Sequence, residues 1–147
     1  MKNKILIFIY NKKKDKFLLI FDTKYLNSPS NKKGITITQM INEKEYTIAR
    51  VIAEIKYQIG LTPDEVLSLN WGSVYNLKGE EFKEMNYFAY VNSDKIKLKE
   101  GNLKAQWLNI NNFIKQISWN DNKELLRQVL TKAINKEIYF DKKERGE

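Results

Sequence analysis

The 147-residue sequence contains no cysteine and no histidine. The first absence excludes disulfides and thiolate catalysis. The second excludes every triad, proton relay or metal site built on imidazole. Any metal must then be a hard cation held by oxygen, with Mg²⁺ the default. Arginine is scarce: Arg50, Arg127 and Arg145 are the arginines, and lysine supplies the rest of the formal charge of +8. Planar, bidentate reading of phosphates and bases is mainly arginine chemistry. The charge therefore reads first as lysine spread over a solvated surface and second as an attraction for an anionic partner such as RNA. No apolar run approaches the roughly 18 residues of a membrane span. The run Ile5 to Ile9, behind Met1-Lys2-Asn3-Lys4, is too short for a signal peptide and has no small-residue cleavage site, which reads as cytoplasmic. Repeats, low-complexity segments and long linkers are also missing, so one domain is expected over residues 1–140, with a charged, frayed tail over 141–147.

What is present suits a globular core, with 42% hydrophobic and 12% aromatic residues. Lys4 to Asn11 (KILIFIYN) and Phe17 to Phe21 are nearly continuous apolar runs joined by the turn-like Lys12-Lys13-Lys14-Asp15. They predict a hairpin of strands buried on both faces. Thr23 to Lys33, with its Ser-Pro-Ser-Asn punctuation, predicts a loop. Gly34 to Ile41 predicts a short strand with Ile35, Ile37 and Met40 or Ile41 facing inward. Two further strands fall within Val66 to Leu77 and Phe82 to Val91, joined around Lys78-Gly79-Glu80. An extended piece is expected at Ile96 to Lys99, a strand at Gln106 to Leu108 and a short helix from Ile110. A last helix is expected from Asp121, with an apolar stripe of Leu125, Leu126, Val129, Leu130, Ala133 and Ile134. This order predicts an α/β (α+β) class fold, a mixed sheet with helices on both faces.

The most informative stretch is Gln39 to Leu61. A loop bearing Glu43 and Glu45 leads into a helix with Ile48, Val51, Ile52, Ile55 and Ile59 on one stripe, ended by Gly60 and Pro63. At 100° per residue Glu54 stands beside that stripe, with Arg50 and Gln58 one turn to either side.

This stretch resembles the box of the Nudix hydrolases, G-x5-E-x7-R-E-U-x-E-E-x-G-U with U aliphatic. Glu45, Glu54, Ile55 and Gly60-Leu61 match; Gln39, Ala53, Tyr57 and Gln58 stand where the box has Gly, Arg and paired Glu. Ile37-Thr38 before the box, and Trp107-Leu108 followed by Ile117-Ser118-Trp119-Asn120 and a helix, are similar to the dihydroneopterin triphosphate diphosphatase branch. The resemblance implies an α/β/α sandwich and Mg²⁺- or Mn²⁺-dependent pyrophosphohydrolysis of a nucleotide-like, phosphate-containing small molecule. In such a site carboxylates gather cations that bridge phosphate oxygens and activate water.

Of the helix carboxylates the chain keeps Glu54, and Gln58 offers a neutral oxygen one turn on; these are the candidate metal ligands. Glu54 and Glu45, with Glu84 or Glu100 supplying help from outside the helix, are the candidate catalytic residues. Lys33, Thr38, Gln39 and Trp71 are the candidate substrate contacts, Trp71 as a base-stacking ring. The same residues also have plainer roles. The glutamates suit a surface rich in lysine, the aromatics suit cross-strand packing, and Arg50–Glu54 suits a helix ion pair. Two functional expectations stand: a hydrolase with weak, altered or lost activity, or a non-catalytic module for a nucleotide, RNA or protein partner. A homodimer or purely structural subunit fits the same residues.

Overall fold

The computed structural model describes residues 1–22, 34–119 and 122–137. The loop expected over 23–33 and the tail over 141–147 lie outside them.

The central strand is β1 (Lys2–Asn11). One of its edges is paired throughout, in parallel, with β5 (Glu80–Val91), from Lys2↔Phe82 to Asn11↔Val91. Its other edge is shared. β3 (Ile37–Ile41) runs antiparallel along Asn3 to Ile7, and β2 (Lys16–Asp22) takes over at Tyr10↔Phe17 and Asn11↔Lys16. Outside these lie β4 (Glu65–Leu77), antiparallel to β5, and β6 (Leu103–Leu108), antiparallel to β2. The result is a mixed six-stranded sheet in the order β4-β5-β1-β2-β6, with β3 attached to β1.

Strand alternation sorts β1 between two cores. Ile5, Ile7 and Ile9 face α1 (Ile48–Ile59), meeting Val51, Ile55 and Ile59. Leu6, Phe8 and Tyr10 face α2 (Ile110–Gln116) and α3 (Lys123–Ile134), meeting Phe113, Leu126 and Leu130. Both faces being covered explains why Ile5 to Tyr10 is buried without a break. α1 begins where the Thr47 side chain accepts from the Arg50 N–H at 3.1 Å and ends at Gly60, whose φ of 71° is a left-handed stop.

Several expectations need correction. Ile48 is 39% exposed because it occupies the free first turn of α1, and Leu125 is exposed because it lies about 90° from the centre of the α3 stripe. Ile35 joins the sheet only by an isolated bridge to Ile20, and its side chain is exposed. Ile37 is buried and Ile41 partly so, whereas Met40 pairs with Lys4 and points outward on the other face. The α3 cap is Asn122, whose side chain accepts from the N–H groups of Glu124 and Leu125; Asp121 lies outside the described residues. The piece at 96–99, expected only to be extended, lies outside the named strands and helices. Its Lys97 and Lys99 N–H groups donate to the carbonyls of Ile59 and Gln58, both at 2.9 Å, satisfying the last turn of α1. No helix among the described residues is long and apolar enough to cross a membrane.

One irregularity shapes the site. β4 and β5 are in register at Ser68↔Tyr87 and again at Gly72↔Met85, so Leu69, Asn70 and Trp71 stand opposite Asn86 alone. Asn70 takes φ 49°, and Gly72 is needed because a Cβ there would lie 2.1 Å from the Glu84 carbonyl oxygen.

Candidate functional site

Arg50, Glu54 and Gln58 are spaced i, i+4, i+8 and form one row along α1. Arg50 donates from Nη1 to Glu54 Oε1 at 2.7 Å, and Gln58 donates from Nε2 to Glu54 Oε2 at 2.6 Å. The row is anchored at both ends. Arg50 Nε reaches Glu45 Oε2 at 3.1 Å, and Glu45 Oε1 accepts the Asn42 backbone N–H at 2.7 Å. Gln58 Nε2 also reaches the Thr38 carbonyl of β3 at 3.1 Å. Arg50 thus makes the helix ion pair with Glu54 that the sequence suggested and pairs with Glu45 as well. The clamp ties the 42–45 turn, α1 and β3 together.

The burial is uneven along the row. The Glu54 side chain is 3% exposed, while those of Arg50 and Glu45 are 24% and 37% exposed. Hydrogen bonding to Glu54 raises the Arg50 pKa from its ordinary value, with Glu45 adding to it. The Asn42 N–H, and then Arg50, lower that of Glu45.

A divalent cation here would need several free oxygens. Each Glu54 oxygen already accepts a hydrogen bond from its own helix. Gln58 turns its N–H group to two acceptors, Glu54 and Thr38, so its amide nitrogen faces the carboxylate. Tyr57 is exposed, with Lys99 Nζ 4.8 Å from its ring centre. Among the described residues no three carboxylates gather into a cage. The donor set does not fit Mg²⁺ or Mn²⁺.

The other candidates are spread out. Glu84 lies on β5 beside Lys4, 3.6 Å from its Nζ, on the face turned away from α1. Glu100 is exposed in the turn before β6. Gln39 pairs with Ile5 and shares the α1 face, whereas the Thr38 side chain shares the opposite face with Leu6. Lys33 lies outside the described residues.

Trp71 belongs to a second cluster, on the α2–α3 face of the sheet. Its ring lies 5.6 Å from that of Trp119, which lies 5.9 Å from Phe8. Asn86, opposite the β4 irregularity and paired with Leu6, is 3% exposed. Its Oδ1 and the Trp119 Nε1 are both buried and have no hydrogen-bond partner among the described residues. Such atoms cost about 1–3 kcal/mol each when left unsatisfied. Neither residue stood out as a contact in the sequence. The available signal for Asn86 was a single amide ahead of the fully buried run Tyr87 to Val91.

No protein-family model and no curated protein sequence matches the chain. Solved structures do resemble it. The Ap4A hydrolase of C. elegans, seen in a binary complex, has 18% identity and a TM-score of 0.63, over 89% of this chain and 96% of that one. The E. coli dihydroneopterin triphosphate pyrophosphohydrolase has 13% identity and a TM-score of 0.67, over 86% and 92%. The NUDIX domain of Shewanella oneidensis NrtR, complexed with ADP ribose, has 12% identity and a TM-score of 0.63, over 90% and 87%. The chain has the Nudix fold.

Proposed function

We propose that this Nudix-fold chain binds a nucleotide-like, phosphate-bearing small molecule and that its metal-dependent hydrolysis of that ligand is weak, altered or lost. The ligand half of this reading is supported by the fold, shared with proteins named for Ap4A, dihydroneopterin triphosphate and ADP ribose. The catalytic half rests on one observation: both oxygens of Glu54 are held by Arg50 and Gln58. Arg50 supplies a permanent positive charge beside the carboxylate, so the helix keeps its acid without presenting it. Residual activity would fall to Glu54, and Gln39, on the same face of the sheet as α1, is the substrate contact proposed beside it. RNA is not part of the proposal. Lys2, Lys4, Lys12, Lys14 and Lys136 each pair with a carboxylate of the chain itself.

The test combines calorimetric binding of a nucleotide panel in EDTA with phosphate and pyrophosphate release in Mg²⁺ or Mn²⁺, for wild type and Glu54→Gln. Binding without metal is expected, with either no release or a slow release that Glu54→Gln lowers further. Turnover of about 1 s⁻¹ or faster that disappears in Glu54→Gln would overturn the catalytic half. Failure of every nucleotide to bind would overturn the ligand half.

A further inference from the structure

The outer strand of a sheet exposes unpaired backbone N–H and C=O groups, and proteins commonly blunt such edges with lysine, proline or brevity. The two outer strands here differ in that respect. β6 is only 6 residues long and carries the exposed Lys104. β4 is 13 residues long, and Val66 to Leu77 within it is the longest run of the chain without a charged side chain. Among the described residues no strand pairs with its outer edge. Its second half is also poorly covered. Gly72, Ser73, Val74, Asn76 and Leu77 are exposed, Val74 by 60% and Leu77 by 55%. In a chain of net charge +8, an apolar edge free of lysine can accept another strand.

We propose that two copies of this chain pair antiparallel through the outer edges of β4 over residues 71–77, joining their sheets into one. The strand itself sets the register. β4 and β5 run regularly from Gly72↔Met85 to Leu77↔Glu80, bounded by the irregularity before Gly72 and by the Lys78-Gly79 turn. Residues opposed across a sheet share a face, so a two-fold axis must pass through a residue, here Val74 or Tyr75. Centring on Tyr75 sets Val74 against Asn76 and Leu77 against Ser73. Centring on Val74 sets Val74 against its own counterpart, Tyr75 against Ser73 and Leu77 against Trp71. In the second register both exposed apolar side chains meet apolar partners, and no charge opposes a like charge. That pattern is self-complementary, which favours a second copy over an unrelated peptide. β6 is blunted, so each copy offers one such edge and association stops at two. The pairing does not depend on the ligand proposed above.

The experiment is sedimentation of the full chain over about 1–100 μM, with thermal melts of each variant. Wild type should pass from monomer to dimer across that range and grow no larger. Val74→Lys should stay monomeric throughout and melt as wild type does at the dilute end, because position 74 is exposed. Leu77→Lys should do the same, so the outcome does not depend on how one variant folds. The lack of native cysteine permits a test of register. Under mild oxidation Val74→Cys should form a disulfide-linked dimer, since opposed Cα atoms lie about 4.5–5.5 Å apart. Asn76→Cys should not, since its two copies are offset by about 13 Å along the strands. A wild type that stays monomeric, or grows beyond a dimer, would overturn the proposal. So would dimers that persist in both lysine variants, or Asn76→Cys cross-linking as fast as Val74→Cys, because either places the contact elsewhere.

Discussion

The Arg50–Glu54 bond gives a stability prediction that separates a buried clamp from a surface ion pair. Arg50→Ala leaves a carboxylate that is 3% exposed with only the Gln58 amide as partner. Breaking a buried pair from one side costs about 3–5 kcal/mol. The partial exposure of Arg50 puts the cost at the lower end, about 3 kcal/mol, or about 6–12 °C in Tm for a chain of this length. Glu54→Ala costs less, about 2 kcal/mol, because Arg50 keeps Glu45 and reaches water. The double variant strands neither charge and should lose about 2 kcal/mol rather than the sum, a coupling of about 3 kcal/mol. Urea unfolding of the four proteins measures this cycle, and repeating it in high salt should change the coupling little, since buried pairs are poorly screened. A coupling below about 0.5 kcal/mol, or one that disappears in salt, would refute the clamp and make the pair an ordinary solvated bridge.

The same structure makes three further predictions. Burial, and then the charge of Glu65, push the Tyr90 pKa up to about 12, and its hydroxyl donates to the Ala133 carbonyl. A raised phenol pKa means that the unfolded chain releases its proton first, so stability holds below pH 10 and falls from there to about 12; Tyr90→Phe should flatten part of that fall in a pH series of urea titrations. Gly72→Ala places a Cβ 2.1 Å from the Glu84 carbonyl oxygen and should cost about 1–3 kcal/mol, whereas Gly79→Ala, at φ 82° with nothing within 4 Å, should cost about 1 kcal/mol; equal melting of the two would contradict the close approach. Mg²⁺ or Mn²⁺ should leave the wild-type Tm unchanged, because a cation that bound the native state would raise it with concentration.

Local pattern carried much of the architecture. The β1 and β2 runs, the α1 stripe and the Gly60 stop each follow from residues close together in the chain, so a linear reading finds them. So did the spacing that puts Arg50, Glu54 and Gln58 in one row. Sequence could not decide whether Glu54 is presented or held, because that depends on Thr38 of β3 and on Glu45 of the preceding turn meeting the helix. It also could not find that Asn86 Oδ1 and Trp119 Nε1 are buried without a partner among the described residues, because that depends on the strands and rings packed around each. Exposure of Ile48 and Met40 was hidden for a related reason, since periodicity marks a face but not how far its covering element extends. By itself the sequence determined the composition-level exclusions, most of the elements and the identity of the one helix carboxylate. The tertiary structure alone decided which polar atoms are satisfied and which still lack a partner, because hydrogen-bond saturation depends on contacts between distant segments.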